Sequence, residues 1–251
     1  MGRVVAVLNQ KGGVGKTTVT LGLASAAATA GHRVLVVDLD PQGSSTWVLG
    51  LDPYEVETST AEVLGETPVS HAMVPSAWGG EVWLVPASPR LIADDHGDID
   101  LLRLREALDE IVEQFHAVIV DCPPSLGGLS AAALAAADHA IIVVEPSALG
   151  LRGIGAVADL VDEVWDEHNQ DLELAGVVVN KVPPVSNEAD RRYDELTRTV
   201  GKRAIWQPVI PQRVIVNQAI GDRRPIHAYG SRAADVADAF DRLWVRVRRL
   251  G

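Results

Sequence analysis

A chain of 251 residues, 47% hydrophobic and 22% charged, is long enough to bury one sizeable core, and its ordinary balance excludes long disorder. The net charge of −12 argues against a uniformly basic nucleic-acid coat, the single cysteine Cys122 excludes an internal disulfide, and seven scattered histidines lack metal-ligand spacing. No apolar run approaches the roughly 20 residues of a membrane-spanning helix, and the start runs into a strand pattern without a secretory leader, which predicts one cytoplasmic domain over residues 1–251.

The first apolar run, Val4–Leu8, reads as a buried strand. It is followed by residues 9–18, NQKGGVGKTT, and then by an alanine-rich helical pattern. Strand, glycine loop and helix in that order make a nucleotide cradle. Gly12, Gly13 and Gly15 permit positive φ angles and bring several N–H groups near one anion. Together with Val14, Lys16, Thr17 and Thr18 they are expected to hold a polyphosphate: Lys16 reaches the β and γ phosphates, Thr17 offers its hydroxyl to Mg2+, and the helix N-terminus adds its partial positive charge. The strict pattern fails at one place, where Gln10 stands in for the usual glycine and a second lysine, Lys11, follows.

Val19, Leu23, Ala26, Ala27 and Ala30 then repeat at helical spacing, and Gly31 is placed to end the helix. Residues 33–38, RVLVVD, form a continuous apolar run of the kind covered on both faces in parallel sheets. The run ends in Asp38-Leu39-Asp40-Pro41-Gln42-Gly43, which puts carboxylates at the strand edge where open α/β sheets carry ligands. Thr60–Leu64 reads as a short helix, 81–86 as a strand, and 99–115 as one helix with Leu102, Leu108, Ile111 and Val112 turned inward. Ala117–Asp121 is another buried strand ending in an aspartate, and Asp121 suits the role of holding Mg2+ beside a P-loop. A helix over 131–137, a strand over 140–144, a long helix over 150–168 and a strand over 174–180 follow. After Pro183-Pro184 the pattern predicts a basic helix over 191–198, a short strand near Val209 and a final helix from Arg232. The alternation predicts an α/β fold, a doubly wound, mostly parallel sheet flanked by helices, of the P-loop NTPase kind.

Charge is segregated along the chain. Residues 1–180 hold 8 Lys+Arg against 26 Asp+Glu, or −18, whereas residues 181–251 hold 14 against 8, or +6. A polyanion-facing surface on an acidic body, or a solvated arginine-rich face, would give this asymmetry. Asn180, ending its strand, can offer a donor and an acceptor to a purine edge.

The boxes KGGVGKTT, DLDPQGS, VIVDCPPSLG, the strand ending at Asn180 and IPQRVIVNQAIGDRRPI together resemble the ParA/MinD family of dimeric ATPases with a deviant Walker A motif. Pro41-Gln42-Gly43 resembles the ParA-type, Soj-like DNA-partition branch, without the N-terminal helix-turn-helix extension of some plasmid partition proteins. The resemblance implies ATP and Mg2+ as cofactors, Asp40 as the group that polarises the lytic water, and Asp38 near the metal. It implies that Lys11 crosses a homodimer to the partner's γ phosphate, and that Asn180 reads adenine with help from a carbonyl at Ile210-Pro211. The implied protein is a weak, adaptor-stimulated ATPase that binds DNA non-specifically on the nucleoid and segregates a chromosome, plasmid or phage genome with a ParB-like centromere-binding adaptor. Its DNA contacts are expected from Arg191, Arg192, Arg213, Arg223, Arg224 and the last helix. Val185 and Ile215 depart from the family, being apolar where relatives carry arginines, and Arg152 stands where many relatives have an acidic residue near the dimer interface. A ParA-like ATPase positioning a protein cargo is one alternative. A MinD-like membrane-positioning ATPase is another, and the ending DRLWVRVRRLG is suggestive of it. Val236, Phe240, Leu243, Trp244 and Val247, however, fall at the spacing of a packed helix, so membrane binding is not expected.

Overall fold

The computed structural model describes residues 2–96 and 99–250, apart from the side chains of residues 96 and 148–152; the side chain of Arg152 therefore lies outside the described residues. Strands β1 (Val4–Leu8), β2 (Val34–Asp38), β3 (Val74–Pro75), β4 (Val82–Val85), β5 (Ala117–Asp121), β6 (His139–Val144) and β7 (Glu173–Val179) form one sheet in the order β3-β4-β2-β5-β1-β6-β7. Every neighbouring pair is parallel except β3 with β4 at the edge. The chain winds from β1 outward through β2 and β4, returns as β5 between β2 and β1, and then crosses to β6 and β7 on the other side. The crevice beyond the carboxyl ends of strands at such a reversal is where an open sheet receives its ligand.

The helices are α1 (Lys16–Thr29), α2 (Ser44–Val48), α3 (Thr60–Leu64), α4 (Val69–Ala72), α5 (Leu91–His96), α6 (Arg103–Asp109), α7 (Gly128–Ala136), α8 (Ala148–Glu167), α9 (Asn187–Val200), α10 (Val214–Gly221) and α11 (Ala234–Val247). Because side chains alternate along a strand, β1 sends Val4, Ala6 and Leu8 into one core with α6, α7 and α8. Val5 and Val7 enter a second core with α1 and α11. The strands read as unbroken apolar runs because both faces are covered.

Val236, Phe240, Leu243, Trp244 and Val247 of α11 are all buried against α1 and the sheet. Gly22 permits this approach, since a Cβ there would lie 2.2 Å from Phe240 Cε1. Trp244 Nε1 also donates to His32 Nδ1 at 2.9 Å. The apolar stripe that a membrane anchor would need is spent inside the fold, and no helix among the described residues is long and apolar enough to cross a membrane.

Some elements differ from the sequence reading. The single helix expected over 99–115 divides into α6 and a 3-10 turn at Val112–Gln114. Asp100 Oδ1 accepts from Leu102 N at 3.0 Å, a local turn that delays the helix and leaves Leu102 39% exposed, whereas Leu108 and Ile111 face the core. Near Val209 no strand forms among the described residues, only bridges at Val177–Ile205 and Val182–Pro211, because Pro208 and Pro211 have no N–H to extend a ladder. The final helix starts at Ala234, after a 3-10 segment over Ile226–Ala233. Helix α10, with its β-branched VIVNQAIG sequence, was not legible from propensity; burial of Ile215 and Ala219 decides it.

Candidate functional site

The loop leaving β1 is fixed at its start by Asn9, which is fully buried. Its Nδ2 donates to Val143 O on β6 at 2.6 Å, and its Oδ1 accepts from Lys11 N at 2.8 Å. Gly13 and Gly15 have φ angles of 80° and 96°, which any side chain would strain. Among the described residues the amides of Gly13, Val14 and Gly15 meet no protein acceptor, and α1 has no side-chain N-cap. Donors left over at a helix N-terminus suit an anion. Lys16 is only 7% exposed and donates to Asn9 O at 3.2 Å. Burial pushes its pKa down, opposed by the charges of Asp121 and Asp40. Lys11, by contrast, turns back within its own chain to an ion pair with Glu145 at the end of β6, with Ser147 Oγ at 3.4 Å.

The carboxyl ends of β2 and β5 place Asp38 and Asp121 side by side in register, both fully buried. Thr46 donates to Asp38 Oδ2 through its N–H and its hydroxyl, each at 2.7 Å, and Asp40 N donates to Asp38 Oδ1 at 3.1 Å. Ser45 Oγ donates to Asp121 Oδ2 at 2.7 Å, while Asp121 Oδ1 is buried without a partner. Burial pushes Asp38 well above the ordinary carboxylate range, with the neighbouring Asp121 adding to it. Burial likewise raises Asp121 to about 6, against the Ser45 hydrogen bond and the nearby Thr17 hydroxyl. Two desolvated carboxylates beside an unpartnered oxygen suit a hard divalent cation, which relieves the burial penalty on both. Among the described residues no group of three or more His, Cys, Asp or Glu forms a self-sufficient cage. A Mg2+ ion here would rest on Thr17, Asp121, water and ligand oxygens, the usual division of labour for that ion. Ser45 and Thr46 were missed by sequence reasoning, although the hydroxyl run Ser44-Ser45-Thr46 directly after DLDPQG was there to be read.

Asp40 is half-buried and accepts from Gln42 N at 2.9 Å. Burial raises its pKa, Lys16 counters this, and Asp95 adds to it. A second cleft lies between the end of β7 and α10, lined by Thr18, Asn180, Lys181, Pro211, Arg213 and Asn217 among others. It brings Asn180 and Pro211 together through the bridge in which Val182 N donates to Ile210 O at 3.0 Å and Gln212 N to Val182 O at 2.7 Å. Asn180 Nδ2 donates to Val14 O at 2.9 Å, and Lys181, also missed by sequence reasoning, donates from Nζ to Gly13 O.

The five arginines expected at a polyanion surface sit in three places, on α9, at the start of α10 and in the turn after α10. On α9, Arg191 and Arg192 pair with Glu188 at 2.6 and 2.7 Å, and Arg192 also with Glu195 at 2.7 Å. Arg213 pairs with Asp235 at 2.7 Å. Arg223 Nε donates to Trp47 O at 2.6 Å with its guanidinium 5.1 Å from that ring, and Arg224 lies 5.4 Å from the Tyr229 ring. Val185 is 91% exposed, whereas Ile215 is buried in the core and presents nothing to a partner.

A protein-family profile described as an AAA domain matches residues 2–174. The sporulation initiation inhibitor protein Soj of Bacillus subtilis is 32% identical over 245 residues, covering 94% of this chain and 95% of Soj. The chromosome partitioning protein ParA of Myxococcus xanthus is 32% identical over 234 residues, covering 91% of this chain and 82% of that protein. Among solved structures, cobyrinic acid a,c-diamide synthase from Mycobacterium smegmatis with bound ADP and magnesium has a TM-score of 0.85 and 31% identity, covering 99% of this chain and 95% of that one.

Proposed function

The chain belongs to the ParA/MinD family of P-loop ATPases, and from that premise we propose that it hydrolyses ATP to ADP and phosphate as a switch for DNA partition. The observation that carries the reading is the pair of buried, register-matched carboxylates, Asp38 and Asp121, beside a glycine loop in which the amides of Gly13, Val14 and Gly15 meet no protein acceptor among the described residues. Gly12 to Thr18 hold the phosphates, Lys16 neutralises them, and Thr17 with Asp121 holds Mg2+. When bound, that ion offsets the negative charge of the phosphates. Phosphoryl transfer is mostly positioning, and Asp40, at the mouth with a raised pKa, accepts a hydrogen bond from the attacking water. Asp38 supports the metal side through Thr46 and the Asp40 amide. Asp40→Ala is expected to bind ATP and to pair normally while turnover falls by roughly 100-fold or more; normal turnover in that variant would remove the assignment.

Asn180 supports adenine over guanine. The Val14 carbonyl takes one N–H of its amide and holds the side chain at the cleft. The other N–H and Oδ1 are left to donate to a ring nitrogen and to accept from the exocyclic amine of adenine, with a carbonyl at Ile210-Pro211 beside them. Lys11 leaves Glu145 when two copies close around a pair of nucleotides and stabilises the partner's γ phosphate in trans. The ATP-bound homodimer then binds DNA without sequence preference through the basic C-terminal quarter in the cytoplasm, on the nucleoid, until a ParB-like adaptor stimulates hydrolysis. The Myxococcus xanthus relative, a chromosome partitioning protein by name, supports partition of DNA as the task, whether the cargo is a chromosome, plasmid or phage genome.

A DNA gel shift with ATP, ADP or no nucleotide tests the whole reading. A shift only with ATP is expected, and contacts to six to ten phosphates weaken binding by about 10³ to 10⁵ between 50 and 200 mM salt. Cosedimentation with anionic liposomes in place of a DNA shift would favour membrane positioning. ATP-dependent amide formation without a DNA shift would favour the chemistry in the name of the Mycobacterium smegmatis relative.

A further inference from the structure

Resting on the nucleotide site proposed above, we propose that Lys181 is a positioning residue that, with Asn180, braces the phosphate loop from outside and aims its amides at the polyphosphate. The two residues follow β7 directly and grip consecutive loop carbonyls. Asn180 Nδ2 donates to Val14 O at 2.9 Å, and Lys181 Nζ donates to Gly13 O. A trans peptide holds its N–H antiparallel to its C=O. The grip on the Gly13 carbonyl therefore sets the direction of the Val14 N–H, and the grip on the Val14 carbonyl sets that of the Gly15 N–H. Both N–H groups are turned away from the end of β7, and neither meets a protein acceptor among the described residues.

The loop has particular need of such a brace. Gly13 and Gly15 flank Val14, and glycine loses more backbone freedom on ordering than any other residue. Fixing the loop before the ligand arrives removes that cost from binding. Two further observations point the same way. A Cβ on Gly15 would lie 2.1 Å from Asn180 Nδ2, so this loop glycine is shaped to the brace as well as to an anion. Lys181 has φ 56°, a left-handed conformation that a non-glycine residue seldom takes, at the point where the chain turns out of the sheet toward the bridge at Val182. Three lysines thus divide the work at the site. Lys16 faces the phosphates, Lys11 waits on Glu145, and Lys181 acts on the loop instead of the ligand.

The test is equilibrium binding of MgATP, MgADP and adenosine to wild type, Lys181→Met and Lys181→Arg, with kcat at saturating ATP. Lys181→Met is expected to weaken ATP and ADP alike by roughly tenfold, to leave adenosine affinity and kcat unchanged, and to be largely rescued by Lys181→Arg. Lys181→Gly, which suits a positive φ, should show the same loss with the fold intact. In the nucleotide-free protein, NMR order parameters of the Val14 and Gly15 amides should be lower in Lys181→Met than in wild type. That readout stands even if wild type binds no ATP, a result that would overturn the proposed function alone. Unchanged loop order parameters, an equal loss of adenosine, or a fall in kcat at unchanged affinity would each overturn the brace.

Discussion

The phosphate edge of the sheet and the basic C-terminal quarter both present charge, but they hold it in opposite ways. At the edge, Lys16, Asp38, Asp121 and Asn180 are each 7% exposed or less, and each is met by a fixed neighbour from another element. In the C-terminal quarter, Arg191 pairs with Glu188 on the helix surface, where its side chain keeps 65% of its exposure. Ion pairs of that kind are worth about 0–1 kcal/mol and are screened by salt. Charge taken out of water carries large energies and sharp geometry, whereas charge left in water carries small energies that add over many contacts.

The comparison can be broken first at α11, a part of the basic quarter that is also core. Phe240→Ala is expected to cost about 3–5 kcal/mol in urea unfolding, because its ring fills the space over Gly22; a helix held on the surface would lose almost nothing. At the phosphate edge, Lys16→Ala should abolish ATP binding, a loss of at least about 100-fold by calorimetry that moderate salt does not reproduce.

Asp121→Asn sharpens the contrast through pH. The folded-state pKa of Asp121 is raised to about 6, so the fold favours the protonated acid. Its contribution to stability is intact below the unfolded carboxylate value, is lost as pH rises toward about 6, and stays lost above that. The substitution should therefore stabilise the nucleotide-free protein at pH 8 by on the order of 1–3 kcal/mol, with the gain shrinking below pH 6, while removing Mg2+-dependent turnover. Unfolding curves at pH 8 and pH 5 check the sign. The smallest effects belong to the exposed arginines. Arg223→Ala and Arg224→Ala should each lower the salt slope of DNA binding by about 1 and weaken affinity only severalfold. A loss from either one as large as that from Lys16→Ala would show a buried, geometry-bound contact where a solvated one is expected.

The two regions were also unequally legible. KGGVGKTT and the aspartates closing two apolar runs could be read because glycine freedom, periodicity and strand ends are local properties of the chain. Fold class and the packing stripe of α11 were readable for the same reason. Helix breaks at Asp100, the absence of a strand at Val209 and the presence of α10 were not, because a side-chain turn, two prolines and burial outweighed propensity there. Arginine positions were equally plain in the sequence, but their partners Glu188, Asp235, Trp47 and Tyr229 were not.

By itself the sequence determined that this protein has a strand, phosphate loop and helix, with acidic strand ends placed to serve them. Only the tertiary structure decided that Asp38 and Asp121 are register neighbours, that Ser45 and Thr46 hold them, and that Asn180 and Lys181 reach carbonyls 166 and 168 positions away in the chain. The reason is physical. A residue's neighbours along the chain set its backbone preferences, but the desolvation and hydrogen bonds that tune a site come from groups that parallel strand pairing assembles from distant segments.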